Sequence, residues 1–328
     1  MAGPGTLEKI TRFISEAAAQ APSVHNTQPW WFSGDGPEIS VHADVERRLG
    51  VADPDSRELM ISCGAALFTV RLALRHLGYV PEVAVLPDPD RPGLVARVGW
   101  HEQIPPAEYE QELFAQVMRR RTHRGGFGPS PLPIALIAAL RQDASSEGPI
   151  LQVVADDWRR AALGAAVEAA EHVLRLDAAR AQEQARWAPP PGSPRRDGVP
   201  HTAYPARPGR TDPPFPGRDF ARGHGWGLAA HGPEPLLRSA GVVCLLVTKD
   251  DRKPDWISAG QALQRIMLHA ATCGAAVALH SQPLEIPELR EFVRVHLSND
   301  AYPQLLLRIG AASQQTTSVR RPVDEVLY

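Results

Sequence analysis

The apolar residues of this chain recur with two periods, and the switches between them mark its elements. An amphipathic pattern over Leu7–Ala19 predicts a helix, which Pro22 ends because it offers no backbone donor. Glu38–Ala43 alternates, with Ile39, Val41 and Ala43 on one face, and predicts a strand. A loop rich in Asp, Arg and Pro then leads to a helix over Arg57–Leu77, closed by Gly78. Strands are predicted at Val80–Leu86 and Leu94–Val98, separated by a Pro/Asp turn. A helix before Arg119 and a short one from Pro133 to Gln142 precede a strand at Ile150–Ala155. Trp158–Trp187 reads as one long alanine-rich helix, whereas Pro189–Gly227 is thick with Pro, Gly and Arg and has neither period. Val242–Val247 reads as a strand, Trp256–Cys273 as a helix closed by Gly274, Pro287–Leu297 as a helix and Gln304–Ile309 as a strand.

Two stretches of this pattern repeat. Ile61-Ser-Cys-Gly-Ala-Ala-Leu, continuing through Val70 and Leu72 to Gly78, matches Ile257-Ser-Ala-Gly-Gln-Ala-Leu, continuing through Ile266 and Leu268 to Gly274. Leu94-Val-Ala-Arg-Val-Gly99 then matches Leu305-Leu-Leu-Arg-Ile-Gly310. Two matches in the same order favour duplication over two similar alanine-rich helices. The chain therefore reads as two α+β halves, residues 1–104 and 105–328, joined near Gln103–Pro106. The small residues Gly64, Ala66, Gly260 and Ala262 would let the two repeated helices approach closely.

Composition narrows the classes. With 328 residues and 43% hydrophobic residues the chain is long enough for a real core. A net charge of −2 gives no electrostatic case for nucleic acid or an anionic membrane. No uninterrupted apolar leader is read at the N-terminus and no segment is read as long and apolar enough to span a bilayer, so a cytoplasmic protein is expected. Cys63, Cys244 and Cys273 lack metal-ligand spacing and read as buried, reduced thiols. His25 and His123 have no third ligand at motif spacing, so no metal is expected.

The candidate chemistry lies in short polar runs. Ala21-Pro-Ser-Val-His-Asn-Thr-Gln-Pro-Trp-Trp31 packs small polar residues between a helix stop and two tryptophans. It reads either as a turn with aromatic cover for a planar ligand or as a helix stop before a core aromatic pair. Arg120-Arg-Thr-His-Arg124 suits a phosphate, which guanidinium forks and a hydroxyl hold well. It is equally readable as a solvated basic helix end.

The first run resembles the Pro-Ser-x-x-Asn-x-Gln-Pro-Trp segment of the nitroreductase superfamily of flavoproteins. The second resembles that family's Arg-Arg-Ser-x-Arg-x-x-Phe motif, with Phe127 as its aromatic. The resemblance implies a nitroreductase-like α+β fold, here two pseudo-symmetric halves fused in one chain. It also implies one noncovalent FMN per chain, because half one carries only the turn and half two only the basic motif. The implied cofactor-binding residues are Pro22, Ser23, His25, Asn26 and Gln28 from the turn, and Arg120, Arg121, Thr122 and Arg124 from the basic run. Ser281 and Gln282 follow by position. Arg320 and Arg321 resemble late basic residues that return to the phosphate, with a solvated tail as the other reading. The family's Asn and Lys before the strand at Val242 have no counterparts, Gly232 and Pro235 standing there instead.

The fused halves and the long insertion resemble the Acg branch of that family, in which a lid covers FMN. Residues 189–227, with Tyr204, Phe215, Phe220 and Trp226, would be that lid. The expected activity is ping-pong reduction of a small-molecule acceptor (a nitro compound, quinone or similar) by NAD(P)H, with the cofactor doing the redox work and no catalytic side chain required. An FMN-storage protein with a closed lid is the alternative, and a member that binds no flavin a third. The intramolecular pseudo-dimer is expected to be a monomer.

Overall fold

The computed structural model describes residues 4–204, 210–218, 220, 237–312 and 317–328. Helix α1 (Pro4–Ala18) leads into a hairpin of β1 (Trp30–Asp35) and β2 (Glu38–Ala43). Helix α2 (Arg57–His76) follows, then β3 (Tyr79–Val85) and β4 (Leu94–Gln103). These four strands form an antiparallel sheet in the order β1-β2-β4-β3. Its inner residues, Phe32, Ile39, Val41, Val95 and Val98, meet Ile14 of α1 and Leu67 and Leu74 of α2 in one core.

Helix α3 (Glu108–Ala115), β5 (Thr122–His123), α4 (Ile134–Ser146), β6 (Ile150–Val153), α5 (Asp157–Leu176) and α6 (Ala178–Arg186) come next. A short parallel pair, β7 (Arg210–Asp212) and β8 (Leu237–Ser239), precedes β9 (Val242–Thr248), α7 (Lys253–Thr272), β10 (Ala275–Leu279), α8 (Pro287–Phe292) and β11 (Tyr302–Ala311). The second sheet has the order β5-β10-β11-β9-β6, with only β5 parallel to its neighbour. Both faces of this sheet are covered. Cys244, Leu246, Leu307 and Ile309 face α4 and α7, while Val243, Leu245, Val247 and Leu306 face Leu163 and Val167 of α5. That explains why the β9 sequence is a continuous apolar run rather than an alternation.

The repeated stretches occupy matching places. Ile61–Leu67 and Ile257–Leu263 lie on α2 and α7, and Leu94–Gly99 and Leu305–Gly310 lie on inner strands of the two sheets. The two helices pack through their glycines, reciprocally. A Cβ on Gly64 would fall 2.1 Å from the carbonyl oxygen of Ile257, and one on Gly260 would fall 1.9 Å from that of Ile61. Thr69 accepts a 3.0 Å hydrogen bond from Gln264 Nε2 within the same buried contact.

Several expectations need correction. Helix Trp158–Trp187 is broken at Asp177, whose side chain turns from the helix to accept from the backbone nitrogens of Ala179 and Arg180 and so caps α6. Strands β1 and β10 are additions to the elements that the sequence pattern predicts, and Pro287–Leu297 changes after Phe292 to a π-helical turn. Helix α2 is long and apolar enough to cross a bilayer, contrary to the sequence reading, but 83% of its most apolar window is buried in the protein. Of the three thiols Cys63 and Cys244 are buried, whereas Cys273 is exposed. Cys63 donates to the Pro29 carbonyl at 3.3 Å and burial pushes its pKa up, so it is a packing residue rather than a nucleophile. Trp226, Gly232 and Pro235 lie outside the described residues.

Candidate functional site

A cavity opens between the Pro22–His25 turn, the α2–α7 pair and the second sheet. Pro22–His25, the start of α2 (Glu58, Ile61, Ser62), Leu263 of α7 and Thr122–Gly126 line it. The end of β10 with Leu279–Gln282, Leu305 and Arg308 of β11, and residues drawn from Tyr204–Phe220 complete it.

The Pro22–Gln28 turn is held in an unusual backbone. His25, Asn26 and Gln28 take φ of 45°, 53° and 50°, values that L-residues rarely adopt. Side chains pin it in place: Ser23 Oγ accepts from Gln28 N at 2.9 Å, and Ser62 Oγ accepts from Val24 N at 3.2 Å. Such concentrated strain is found where a binding geometry has to be held. His25 lines the cavity, packs edge-on to Phe220 at 4.8 Å, and has no hydrogen-bond partner for either ring nitrogen among the described residues. Burial, with Arg218 and Arg124 nearby, holds its pKa well below the usual histidine value. The imidazole is therefore neutral and free to hydrogen-bond a ligand.

Asn26 and Gln28 lie outside the lining, and their side chains serve the protein itself. Asn26 Nδ2 donates to Gly198 O (2.8 Å) and Val319 O (3.1 Å), and its Oδ1 accepts from Arg320 Nη1 (2.9 Å). Gln28 Nε2 donates to Arg196 O (2.9 Å), and its Oε1 accepts from Arg321 N (2.8 Å). These two amides fasten the insertion and the C-terminal segment to the turn. The tryptophans are not ligand cover either. Trp30 is a core residue, and Trp31 stacks on His42 at 3.6 Å, outside the cavity.

Beside the cavity four arginines crowd together. Arg124 lines the cavity and donates to the Thr122 carbonyl at 3.4 Å. Arg120 and Arg320 lie just beyond the lining and both donate to the Gln20 carbonyl, at 2.9 and 3.2 Å. The Nε atoms of both are buried without a partner among the described residues. Arg121 donates to the carbonyls of Met118 and Arg120. Burial, then Arg121 and Arg124, pull the pKa of Arg120 down to about 9. Burial, then Arg120, Arg121 and Arg124, pull Arg320 well below its usual value. Guanidiniums keep their protons near neutral pH, so the pull reflects first the burial of these cations and then their crowding. Among the described residues none of the four pairs with a carboxylate. An anion seated there would relieve the penalty. Arg321 is not part of the cluster, because Asp44 and Glu325 compensate it.

The cavity wall also carries groups that sequence reasoning missed, close to Arg124, since Arg308 Nη2 donates to the Gly125 carbonyl at 3.1 Å. Arg308 Nε donates to His280 Nε2 at 2.8 Å, and its guanidinium lies 5.3 Å from the rings of both Phe127 and Phe215. Burial, then Arg308 and Arg218, hold the His280 pKa well below its usual value. Arg218 makes a buried ion pair with Glu285 at 2.5 Å and donates to Ser281 Oγ at 3.3 Å. Gln282 is almost fully buried beside them. Glu58 contributes the cavity's own carboxyl group. Of these groups the sequence reading names Phe127, Ser281, Gln282 and the aromatics of residues 189–227, but not Glu58, Arg218, His280 or Arg308. Tyr204, Phe215 and Phe220 do line the cavity, whereas Trp187 packs between Arg47 and Arg195. His123 is bonded to the Gly126 carbonyl, and no metal-binding group of His, Cys, Asp and Glu occurs among the described residues.

No family model matches the chain. Among curated proteins it is 33% identical over 306 residues to the Mycobacterium tuberculosis (H37Rv) protein named "Putative NAD(P)H nitroreductase Rv3131", covering 93% of this chain and 86% of that one. It is 27% identical over 328 residues to "Putative NAD(P)H nitroreductase acg" of the same organism, covering 97% and 95%. A solved nitroreductase with bound FMN from Desulfitobacterium hafniense superposes with a TM-score of 0.41 at 15% identity, covering 66% of this chain and 97% of that one.

Proposed function

We propose the following from one premise, that the chain belongs to the nitroreductase family: it is an oxidoreductase that holds one FMN noncovalently and uses NAD(P)H to reduce small electron-poor acceptors such as nitro compounds or quinones. The observation that carries this reading is the uncompensated cluster of Arg120, Arg121, Arg124 and Arg320, which reaches an aromatic-lined cavity through Arg124. A phosphate is the anion that such converging forks suit best, and the Pro22–His25 turn, Thr122 and Leu279–Gln282 would hold the planar remainder of FMN. The residues present thus fit the cofactor. Ser23, His25, Thr122, Ser281 and Gln282 would hold its polar edges. Pro22 would pack against it, and Asn26, Gln28 and Arg321 would fix the turn from behind. When bound, FMN supplies the hydride chemistry, while the protein orients the reactants, excludes water and sets the local field.

In this reading residues 1–104 bring the turn and residues 105–328 the basic cluster, as two related halves of one chain. The reciprocal glycine packing of α2 and α7 supports that relationship. Residues 189–227 would be a cover, supported by Tyr204, Phe215 and Phe220 in the cavity wall. The buried Arg218–Glu285 pair that secures this cover favours, as a second reading, a storage protein that rarely opens. The test is direct. The purified protein should carry flavin at about one per chain, and the yellow colour should bleach anaerobically with NAD(P)H. A protein that neither retains nor binds added FMN would overturn the proposal. Binding without bleaching would select storage.

A further inference from the structure

The cavity contains a carboxyl group for which the proposed function has no use. Glu58 is the second residue of α2 and is only 5% exposed. A carboxylate at a helix start often caps it, but Asp53 fills that role here, accepting from Glu58 N at 3.1 Å and Leu59 N at 2.9 Å. Glu58 is left to line the cavity. Its Oε1 accepts from Arg57 Nη2 at 3.1 Å, and Arg57 is shared with the Gln304 carbonyl at 2.7 Å. Its Oε2 is buried with no hydrogen-bond partner among the described residues. A charged carboxylate with one bare buried oxygen is costly. A neutral carboxyl resolves this, its C=O facing Arg57 and its O–H left for a ligand.

The charged groups facing Glu58 are Arg57 and Asp53 on its own side, Glu285 after β10, and Arg218 of the covering segment. Burial first and the Glu285 charge second push its pKa up to about 8, against the opposing pull of Arg57. The proton is therefore in place at neutral pH.

We propose that the Glu58 carboxyl is the proton donor to an acceptor of the quinone class reduced in this cavity, a role that rests on the oxidoreductase reading above. A quinone gains a hydride, which NAD(P)H supplies by way of the cofactor, and one proton. The O–H bond of Glu58 breaks as an O–H bond of the hydroquinone forms. Glu58 is left as a carboxylate, steadied by Arg57 and Arg218, until it regains a proton from water.

Two measurements test this. Infrared spectroscopy of the wild-type protein, with and without FMN, should show a buried protonated carboxyl band that titrates away with a midpoint near pH 8 and is absent from Glu58→Gln. Stopped-flow kinetics of the FMN-loaded protein with benzoquinone should show reoxidation slowed by about a hundredfold in Glu58→Gln, at the low end of what a general acid contributes. The wild-type solvent deuterium effect on reoxidation should vanish in the variant. Reduction by NADPH, measured in the same samples, serves as the internal control. Reoxidation at the wild-type rate in a variant that binds FMN normally would overturn the proposal. If Glu58→Gln does not fold, the wild type decides alone: a band that does not titrate near pH 8, or reoxidation insensitive to pH across that midpoint, overturns it. A wild-type protein that binds no FMN would instead sink the oxidoreductase reading, leaving the infrared titration to judge Glu58.

Discussion

Substituting alanine at Gly64 or Gly260 should separate the two central helices. Each new Cβ would meet a backbone carbonyl, at 2.1 Å for Gly64 and 1.9 Å for Gly260, and a backbone cannot swing aside as the end of a side chain can. Ordinary contact begins near 3.4 Å, so the helices must part by about 1.3 Å in the first variant and about 1.5 Å in the second. Overpacking of this kind costs about 1–3 kcal/mol. A gap of about 1 Å also forfeits up to about half of each dispersion contact across the interface. Alanine returns about 1 kcal/mol through its better helix propensity. With the dispersion loss roughly offsetting the propensity gain, each single variant should lose about 1–3 kcal/mol in urea denaturation followed by circular dichroism. The double variant should lose less than the sum, by about 1–2 kcal/mol, because one separation makes room for both side chains. Gly5→Ala, with nothing within 4 Å of its Cβ, is the control and should gain up to about 1 kcal/mol. Losses below about 1 kcal/mol, or strict additivity, would refute close backbone approach as the source of the helix contact.

Arg124→Ala should weaken FMN binding by about tenfold to a hundredfold while barely affecting riboflavin, since a charge-assisted contact is worth about 1.5–3 kcal/mol; equal losses by fluorescence titration would move Arg124 off the phosphate. Arg321→Ala, whose partners are Asp44 and Glu325, should leave the ratio of the two affinities unchanged. Glu58 has a folded pKa raised from 4.5 to about 8, so the stability it confers is fully present below pH 4.5 and is lost as pH rises toward 8. Glu58→Gln should therefore gain on the wild type across that window, by about 1.4 kcal/mol for each pH unit, and parallel pH–stability curves would contradict it. Arg218→Ala breaks the pair with Glu285, and flavin release and iodide quenching should both speed up; unchanged values would mean that this pair does not hold a cover.

What could be read from the sequence depended on how local the signal was. Helix α2 and strand β2 stood out because their periods are carried by adjacent residues facing one core. Strand β10, Ala-Ala-Val-Ala-Leu, shows no polar alternation because Ala275, Val277 and Leu279 face the core while Ala278 lines the cavity instead of water. Strand β1 was obscured by its two tryptophans, one of which belongs to the core and the other to a stack on His42. The break at Asp177 rests on a single capping side chain in an alanine-rich run. Within the site, Pro22, Ser23, His25, Thr122 and Arg124 were named from contiguous motifs and Ser281 and Gln282 from their position after the second repeated helix, and all seven line the cavity. Glu58, Arg218 and Arg308 carry no such spacing. Their positions depend on long-range convergence, as when Arg57 reaches the Gln304 carbonyl across 247 residues. The same holds for Asn26 and Gln28: a motif flags the amides, but only the folded chain reveals that they grip residues 196–198 and 319–321.

The reciprocal contact of α2 with α7 also bears on dilution. In such a contact each face offers the other the same glycine and the same carbonyl, the self-complementarity of a two-fold interface between identical subunits. Between separate subunits, a cavity built across that contact would persist only while protomer concentration exceeded the dissociation constant. Here both helices belong to one polypeptide, and the cavity draws Ile61 and Ser62 from one and Leu263 from the other. Their encounter is unimolecular, so this part of the wall stays assembled at any protein concentration.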